Sequence, residues 1–360
     1  MVVGKIRGTH NYLDYRAYKY VIDIFWNFSY RCGFCPCKLA SLQPLEFFTE
    51  CGAESDILAK EVISVQYAQL NKTIGILLPE CTNPLTRILK DLDGVRHIEQ
   101  KLAYCQSLWR YNRPQKGRFR EFTQCGWESF DPITTDLEMI YYAAKFLEKL
   151  QLPYTLYINH LGDSNYQKEY ALFIKEFLIQ NNYEIMHTNY LRLLDKKEIN
   201  FDTPFPLPEE YETYLIKLVQ DLQNLKINAQ INRRLVRGLD YYQDIIFEFH
   251  VEEQAILAGG RYDRITQDWK HPVKATGWAL GVERAVEYIN YIPNNKIIYF
   301  TGSFDSLIKL RELNLPISNC QDTAKFFSKG FWIIKEQEEF KFYHKNYKEG
   351  LNYSKFKEVY

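Results

Sequence analysis

"NRPQKGRFREFTQCGWES", residues 112–129, is the stretch on which the fold turns. Counting from Arg110, five basic side chains (Arg110, Arg113, Lys116, Arg118 and Arg120) precede the first acidic one, Glu121, and they straddle a Pro and a Gly. A turn with that composition, between the strand-like runs "YCQSLWRY" (104–111) and "RFREFTQCGWESFD" (118–131), predicts an antiparallel hairpin. Side chains alternate faces along a strand. The even positions of the return strand, Arg118, Arg120, Phe122, Gln124, Gly126 and Glu128, therefore share one face. The odd positions, Phe119, Glu121, Thr123, Cys125 and Trp127, form a mixed face suited to packing inward.

Two readings of the even face follow. As packing it would be costly, because buried unpaired polar groups cost ~1–3 kcal/mol each. As a binding strip it is ordered: arginines hold phosphates through forked, charge-assisted hydrogen bonds. The Phe ring then stacks on a flat base, the Gly leaves room for a small ligand, and the Gln and Glu receive that ligand's polar groups. A solvated basic hairpin whose even face meets water is the alternative. A second segment, "ATGWALGVERAV" (275–286), places Gly277 and Gly281 on one face of a strand with Arg284 at the junction to a helix. It suits a flat ligand lying on backbone, or equally a Gly-kinked core strand with a surface Arg.

Outward from the hairpin, helical spacing is expected over 15–31, ending near Gly33 as a C-cap, and over 83–92, 165–181 and 208–226. "DLEMIYYAAKFLEKL" (136–150) is expected as an amphipathic helix with Asp136 as its N-cap. Strands are expected at 72–79, 154–162, within 235–251 and 256–263, and at "KIIYF" (296–300) after the break "YIPNN". Long strands separated by helices, without strict βαβ alternation, predict an α+β fold around an antiparallel sheet, with a helical insertion and a small α/β C-terminal tail. Neither a G-x-G-x-x-G nor a Walker A loop occurs, so a nucleotide would bind by another device.

Composition narrows the function class. Lys plus Arg equals Asp plus Glu, 45 each in 360 residues, so nucleic acid would have to meet a local patch. No window approaches the ~18–20 apolar residues of a membrane span, and "MVVGKIRGTHNY" has neither signal-peptide nor transit character, so a cytoplasmic protein with no membrane partner is expected. The run "CGFCPC" (Cys32, Cys35, Cys37) lacks a second ligand pair at finger spacing and is read as reduced, partly buried thiols rather than a metal site.

The hairpin and the Gly-Val-Glu-Arg segment resemble motifs 2 and 3 of class II aminoacyl-tRNA synthetases. "LVRGLDYY" (235–242) and "AGGRYD" (258–263) look like the signature peptides of the histidyl-tRNA synthetase family, and "RPQKGRFREF", "YINHLG" (157–162), "LRLLDKK" (191–197), "IRGT" (6–9) and "PECT" (79–82) fit the same pattern in order from about residue 5 to 290. The resemblance implies a class II synthetase-type antiparallel sheet flanked by helices. It divides the chain into 1–160 (first catalytic part, motifs 1 and 2), 161–228 (helical insertion), 229–293 (signature peptides and motif 3) and 294–360 (reduced anticodon-binding-like domain). It implies activation of histidine by ATP, with Mg2+ carried on the phosphates, transfer to tRNA(His), a homodimer, and no DNA partner.

By the same resemblance Arg110 and Arg237 are the catalytic cations. Arg110, Arg118, Phe122, Arg284 and Asn112 bind ATP, and Glu80, Thr82, Gln124, Glu128, Tyr242 and Tyr262 bind histidine. Arg113, Gln115 and Lys116 meet the tRNA acceptor end. Each tyrosine taken alone reads first as a packed core aromatic, and its place in the motifs reverses that reading. The chain departs from the family pattern at Asn112 (Glu expected), Leu78 (Arg), Asn11 and Asp14 (Asp and Pro), Ala40 and Lys274 (Pro at each). The short tail also fits the family's histidine-sensing paralogue, the regulatory subunit of ATP phosphoribosyltransferase, and the loss of charge at Asn112 fits a non-catalytic tRNA-binding relative. The retained Arg110, Arg113, Arg118 and Arg284 argue against the sensor, which has no need of triphosphate contacts.

Overall fold

The computed structural model describes residues 6–9, 12, 15–49, 61–67, 72–92, 101–111, 113, 115, 117–131, 133–181, 205–237, 239, 241–289, 298–313, 315–320, 324, 327, 331–336 and 339–359. Asn112, Lys116, Asn11, Asp14, "LRLLDKK" and "YIPNN" lie outside these. The chain divides into two units, Met1–Asn290 and Tyr291–Tyr360.

The first unit carries, in chain order, α1 (Arg16–Arg31), β1 (Cys35–Pro36), β2 (Leu42–Gln43), α2 (Glu46–Thr49), β3 (Ser64–Tyr67), β4 (Lys72–Leu77), α3 (Thr82–Asp91), β5 (Lys101–Trp109) and β6 (Glu121–Ser129). There follow α4 (Asp136–Lys149), β7 (Thr155–His160), α5 (Ser164–Gln180), α6 (Glu209–Asn224), β8 (Ala229–Ile231), β9 (Gln243–Val251), β10 (Gln254–Arg261), β11 (Thr276–Gly281) and α7 (Val282–Val286). Its main sheet has the order β1-β5-β6-β11-β10-β9-β7-β8 among the described residues. The six strands from β5 to β7 in this order each run antiparallel to their neighbours, and β1 and β8 join the edges in parallel. The antiparallel sheet flanked by helices is the architecture expected from the hairpin.

The hairpin pairs β5 with β6 from Lys101↔Ser129 to Trp109↔Glu121. Both strands are shifted from expectation: β6 begins at Glu121, so Arg118 and Arg120 belong to the turn rather than to the strand. Gly117 explains why. Its φ of +69° is a left-handed conformation that turns the chain, and Gln115 and Arg118 close the tip by a reciprocal backbone pair. From Phe122 onward the alternation holds. Cys125 and Trp127 are buried on the packed face, where α1, α4 and α6 supply Phe25, Phe28, Phe146 and Leu218.

Helix α1 ends as expected before Gly33, at φ +76°. The expected N-cap of α4 is displaced by one residue. Thr135 caps the helix, accepting from the Glu138 N–H at 3.1 Å, while Asp136 is buried and paired with Arg261 at 2.7 Å. A carboxylate that can meet a buried guanidinium across the sheet is worth more there than on its own helix end. The second unit holds β12 (Ile298–Phe300), α8 (Phe304–Arg311), β13 (Ile317–Asn319), β14 (Ile333–Glu336), β15 (Phe340–His344), β16 (Tyr347–Leu351) and α9 (Tyr353–Val359). Its sheet, β13-β12-β14-β15-β16, mixes parallel and antiparallel pairs around Ile298, Phe300, Ile334, Phe342 and Phe356. No helix among the described residues is long and apolar enough to cross a membrane.

Candidate active site

A cavity of about 310 Å³ opens on the face of the main sheet opposite the α1/α4 core, and its lining gathers the predicted residues. Glu80, Thr82, Arg110, Arg118, Phe122, Gln124, Glu128, Arg237, Tyr242 and Arg284 all border it. Tyr262 stands behind the wall and reaches in through Glu128. Arg113 and Gln115 lie exposed on the hairpin turn, away from the cavity wall.

The sheet register builds the floor. Tyr104 faces Gly126, Gly126 faces Ala279, Ala279 faces Ala258 and Ala258 faces Glu248. Small residues in the middle of this row leave a trough across the strands. The glycines serve differently from expectation. A Cβ on Gly126 would stand 2.4 Å from the Tyr104 hydroxyl, and one on Gly277 would stand 1.9 Å from Glu128 Oε2. Their space is used by protein side chains, and Gly277 is what allows the Glu128 carboxyl its position.

One end of the trough is carboxyl and phenol. Glu128 is buried; Thr82 Oγ1 donates to its Oε1 at 2.8 Å and the Tyr262 hydroxyl donates to its Oε2. Burial pushes its carboxyl up to about 8, against the hydrogen bonds from Tyr262 and Thr82. Glu80 accepts from the backbone N–H groups of Thr82 (2.8 Å) and Asn83 (2.9 Å), which makes it the side-chain cap of α3 as well as a cavity wall. Burial also raises Glu80, and the nearby Arg110 opposes that rise.

The other end is cationic. Arg110 donates from Nε to the Pro79 carbonyl at 2.8 Å and lies 5.3 Å over the Phe122 ring. Arg284 donates from Nε to the Gly117 carbonyl and from NH1 to the Ala255 carbonyl, both at 2.7 Å, tying the hairpin turn to β10. Burial lowers both arginines, and Arg118 and Arg110 lower Arg284 further. Arg237 donates from NH1 to Glu248 Oε1 at 2.6 Å and lies 5.2 Å over the Tyr242 ring. Its buried Nε has no hydrogen-bond partner among the described residues. Burial opposes its charge, and Tyr242 and Glu248 outweigh that effect. Tyr242 thus stands beside a cation as well as beside Tyr262, with ring centroids 6.2 Å apart. Along β6, Phe122 and Glu128 are six residues apart, or roughly 20 Å at ~3.4 Å per residue. That is room for a nucleotide and an amino acid in line.

Sequence reasoning missed several residues that border the same cavity, namely Glu61, Tyr104, Tyr241, Glu248 and Glu283. Tyr241 reaches Glu80 Oε2 at 3.5 Å, and Glu283 accepts the Thr123 N–H at 2.9 Å. The signal for Glu248 lies in "IIFEFHV" (245–251), where period two puts Phe247 and Phe249 in the core and Glu248 and His250 on the cavity side. The three cysteines of "CGFCPC" form no disulfide and are half-buried, and burial pushes Cys32 to about 11 and Cys37 to about 12.

A family model described as histidyl-tRNA synthetase matches residues 205–285. A protein of Ehrlichia ruminantium (strain Welgevonden) named histidine–tRNA ligase is 33% identical over 316 residues, covering 80% of this chain and 75% of that protein. The crystal structure of apo S. aureus histidyl-tRNA synthetase superposes with a TM-score of 0.68 at 20% identity, covering 99% of each chain. An ATP phosphoribosyltransferase regulatory subunit/histidyl-tRNA synthetase from Bacillus halodurans superposes with a TM-score of 0.69 at 18% identity, over 91% of this chain and 97% of that one.

Proposed function

The chain belongs to the histidine–tRNA ligase family, and from that premise we propose that it activates histidine with ATP and transfers the histidyl group to the 3′ end of tRNA(His) in the cytoplasm. The observation that carries this reading is the composition of the trough: four guanidiniums, Arg110, Arg118, Arg237 and Arg284, border the same cavity as the Glu128–Thr82 carboxyl site. A pocket for an amino acid alone has no use for four arginines, whereas a triphosphate does. The same fact weighs against the histidine-sensor alternative.

In the proposed first step a carboxylate oxygen of histidine forms a bond to the α-phosphorus of ATP, and the bond from that phosphorus to the bridging oxygen breaks to release pyrophosphate. Mg2+ enters with the nucleotide as part of the substrate. Arg237 and Arg110 stabilise the charge that builds on the α-phosphate, Arg118 holds the outer phosphates, and Phe122 and Arg284 sandwich adenine, with Asn112 at its edge. Fixed positive groups aimed at developing charge usually supply more of the rate enhancement in such a transfer than any other effect. Glu128 and Tyr242 read the imidazole, whose two nitrogens suit partners on opposite edges. Glu80, Thr82 and Gln124 receive the α-amino group, and Tyr262 orients Glu128. In the second step the tRNA 3′-terminal hydroxyl attacks the acyl carbon and AMP leaves; Arg113, Gln115 and Lys116 guide the acceptor end. The divisions 1–160, 161–228, 229–293 and 294–360, and the homodimer, belong to the same reading.

Arg237→Ala is expected to reduce adenylate formation by roughly 10²- to 10³-fold, the cost of losing one oriented donor, with histidine affinity retained. Pyrophosphate exchange and calorimetric titration with histidine measure the two effects separately. An undiminished exchange rate would remove Arg237 from the mechanism.

A further inference from the structure

Arg237, in the connection between β8 and β9, is held from strand β9. Glu248 of β9 accepts from its NH1 at 2.6 Å through Oε1, while Glu248 Oε2 meets His250 Nε2 at 2.9 Å, two residues along the same face. The His250 ring stands edge-on to Tyr157 of the neighbouring strand β7, with centroids 5.2 Å apart, so it too has a fixed place. The result is a chain from a packed histidine to a carboxylate to one edge of a guanidinium. The buried Nε of that guanidinium is unpaired among the described residues.

Stability does not account for such a chain, since even a fully buried ion pair often does no better than apolar groups of the same volume, and this one is partly exposed. Orientation does. An arginine side chain loses rotamer entropy when it is fixed, and a carboxylate that fixes it before substrate arrives removes that cost from the reacting complex. The Glu248 contact through NH1 leaves the buried Nε–H without a partner among the described residues, as a donor for a ligand. Glu248 itself is held as a carboxylate: burial would raise it, but the hydrogen bond from His250 and the charge of Arg237 bring it below its ordinary range.

Resting on the reading in which Arg237 stabilises charge on the α-phosphate, we propose that Glu248 is a positioning residue for that reaction, held in turn by His250. It presents Arg237 to the phosphate already oriented.

The test uses the full chain with Glu248→Ala and Glu248→Gln; Gln keeps the shape and the accepting oxygen. Histidine-dependent ATP–pyrophosphate exchange is expected to lose roughly 10²-fold in kcat in the Ala variant, the order seen when an oriented donor is lost. Histidine affinity should be unchanged, and Gln should recover most of the rate. Wild-type kcat in the Ala variant overturns the proposal. So does a rate loss that tracks lost histidine affinity and lost thermal midpoint equally in both variants, which is the signature of a purely structural role.

If the wild-type chain shows no exchange at all, the proposed function fails, and the claim about Glu248 is then decided by 15N-arginine spectra. The Arg237 Nε–H signal, assigned with Arg237→Lys, should be sharp in the wild type and broadened in Glu248→Ala. An identical signal in both overturns the proposal without reference to activity.

Discussion

Glu128 is a carboxyl group that burial keeps protonated well past the usual carboxylate range, to about 8. The unfolded chain releases this proton at about 4.3 and the folded chain at about 8, so between those values the folded state binds more protons. Its contribution to stability therefore falls as pH rises through that window. For the ligand the sign is reversed: an ionised Glu128 is the better acceptor for an imidazole N–H. Histidine affinity should rise as pH passes through that upper value, and Glu128→Gln should flatten the rise and weaken binding by roughly 10- to 100-fold, the worth of a hydrogen bond to a charged partner. Calorimetry across pH checks both; a pH profile unchanged in the variant would move the titrating group elsewhere. The residue was legible because period two along β6 put it on the strip with Phe122 and Gln124. Its protonation was not, because that comes from burial by segments remote in sequence, against the hydrogen bonds from Tyr262 and Thr82.

Between neighbouring strands, the binding strip is a product of register. Gly277 lies directly across from Glu128, and a Cβ there would fall on the carboxylate and 2.6 Å from the Trp127 carbonyl. Gly277→Ala is expected to displace Glu128 and cost about tenfold or more in histidine affinity, on the order of one charged hydrogen bond, while ATP affinity holds. Equal loss of both ligands would indicate a collapsed sheet instead. Thr135→Ala is the matching control on α4: it removes a cap worth about 1 kcal/mol, so the denaturation midpoint should fall with exchange activity intact. The cap itself shows where local reading stops. Asp136 has the chemistry of an N-cap, and its long-range partners Arg261 and Tyr214 make a different use of it. Arg118 shows the same limit, for strand-like composition runs through it while the positive φ of Gly117 keeps it in the turn.

Across the molecule, the antiparallel fold was legible because hairpin turns and alternating strands leave few other arrangements. The lateral strand order was not, since the pairing of β6 with β11 brings together segments over a hundred residues apart. Glu248 on β9 comes to the cavity through that order. A neutral chain that meets tRNA must do so through local basic groups such as the hairpin turn. tRNA affinity should therefore fall steeply with salt, with a log–log slope of roughly −0.7 to −0.9 per phosphate neutralised, and Arg113→Ala should make that slope shallower by about one such step. A salt-insensitive complex would exclude a backbone-tracking site. Above all, the trough is read as holding histidine and ATP for reaction with each other. The decisive experiment is histidine-dependent exchange of labelled pyrophosphate into ATP by the purified full chain. Exchange that requires histidine and is lost in Arg237→Ala is the expected result. Tight histidine binding without any exchange would refute the reaction and leave a histidine sensor in its place.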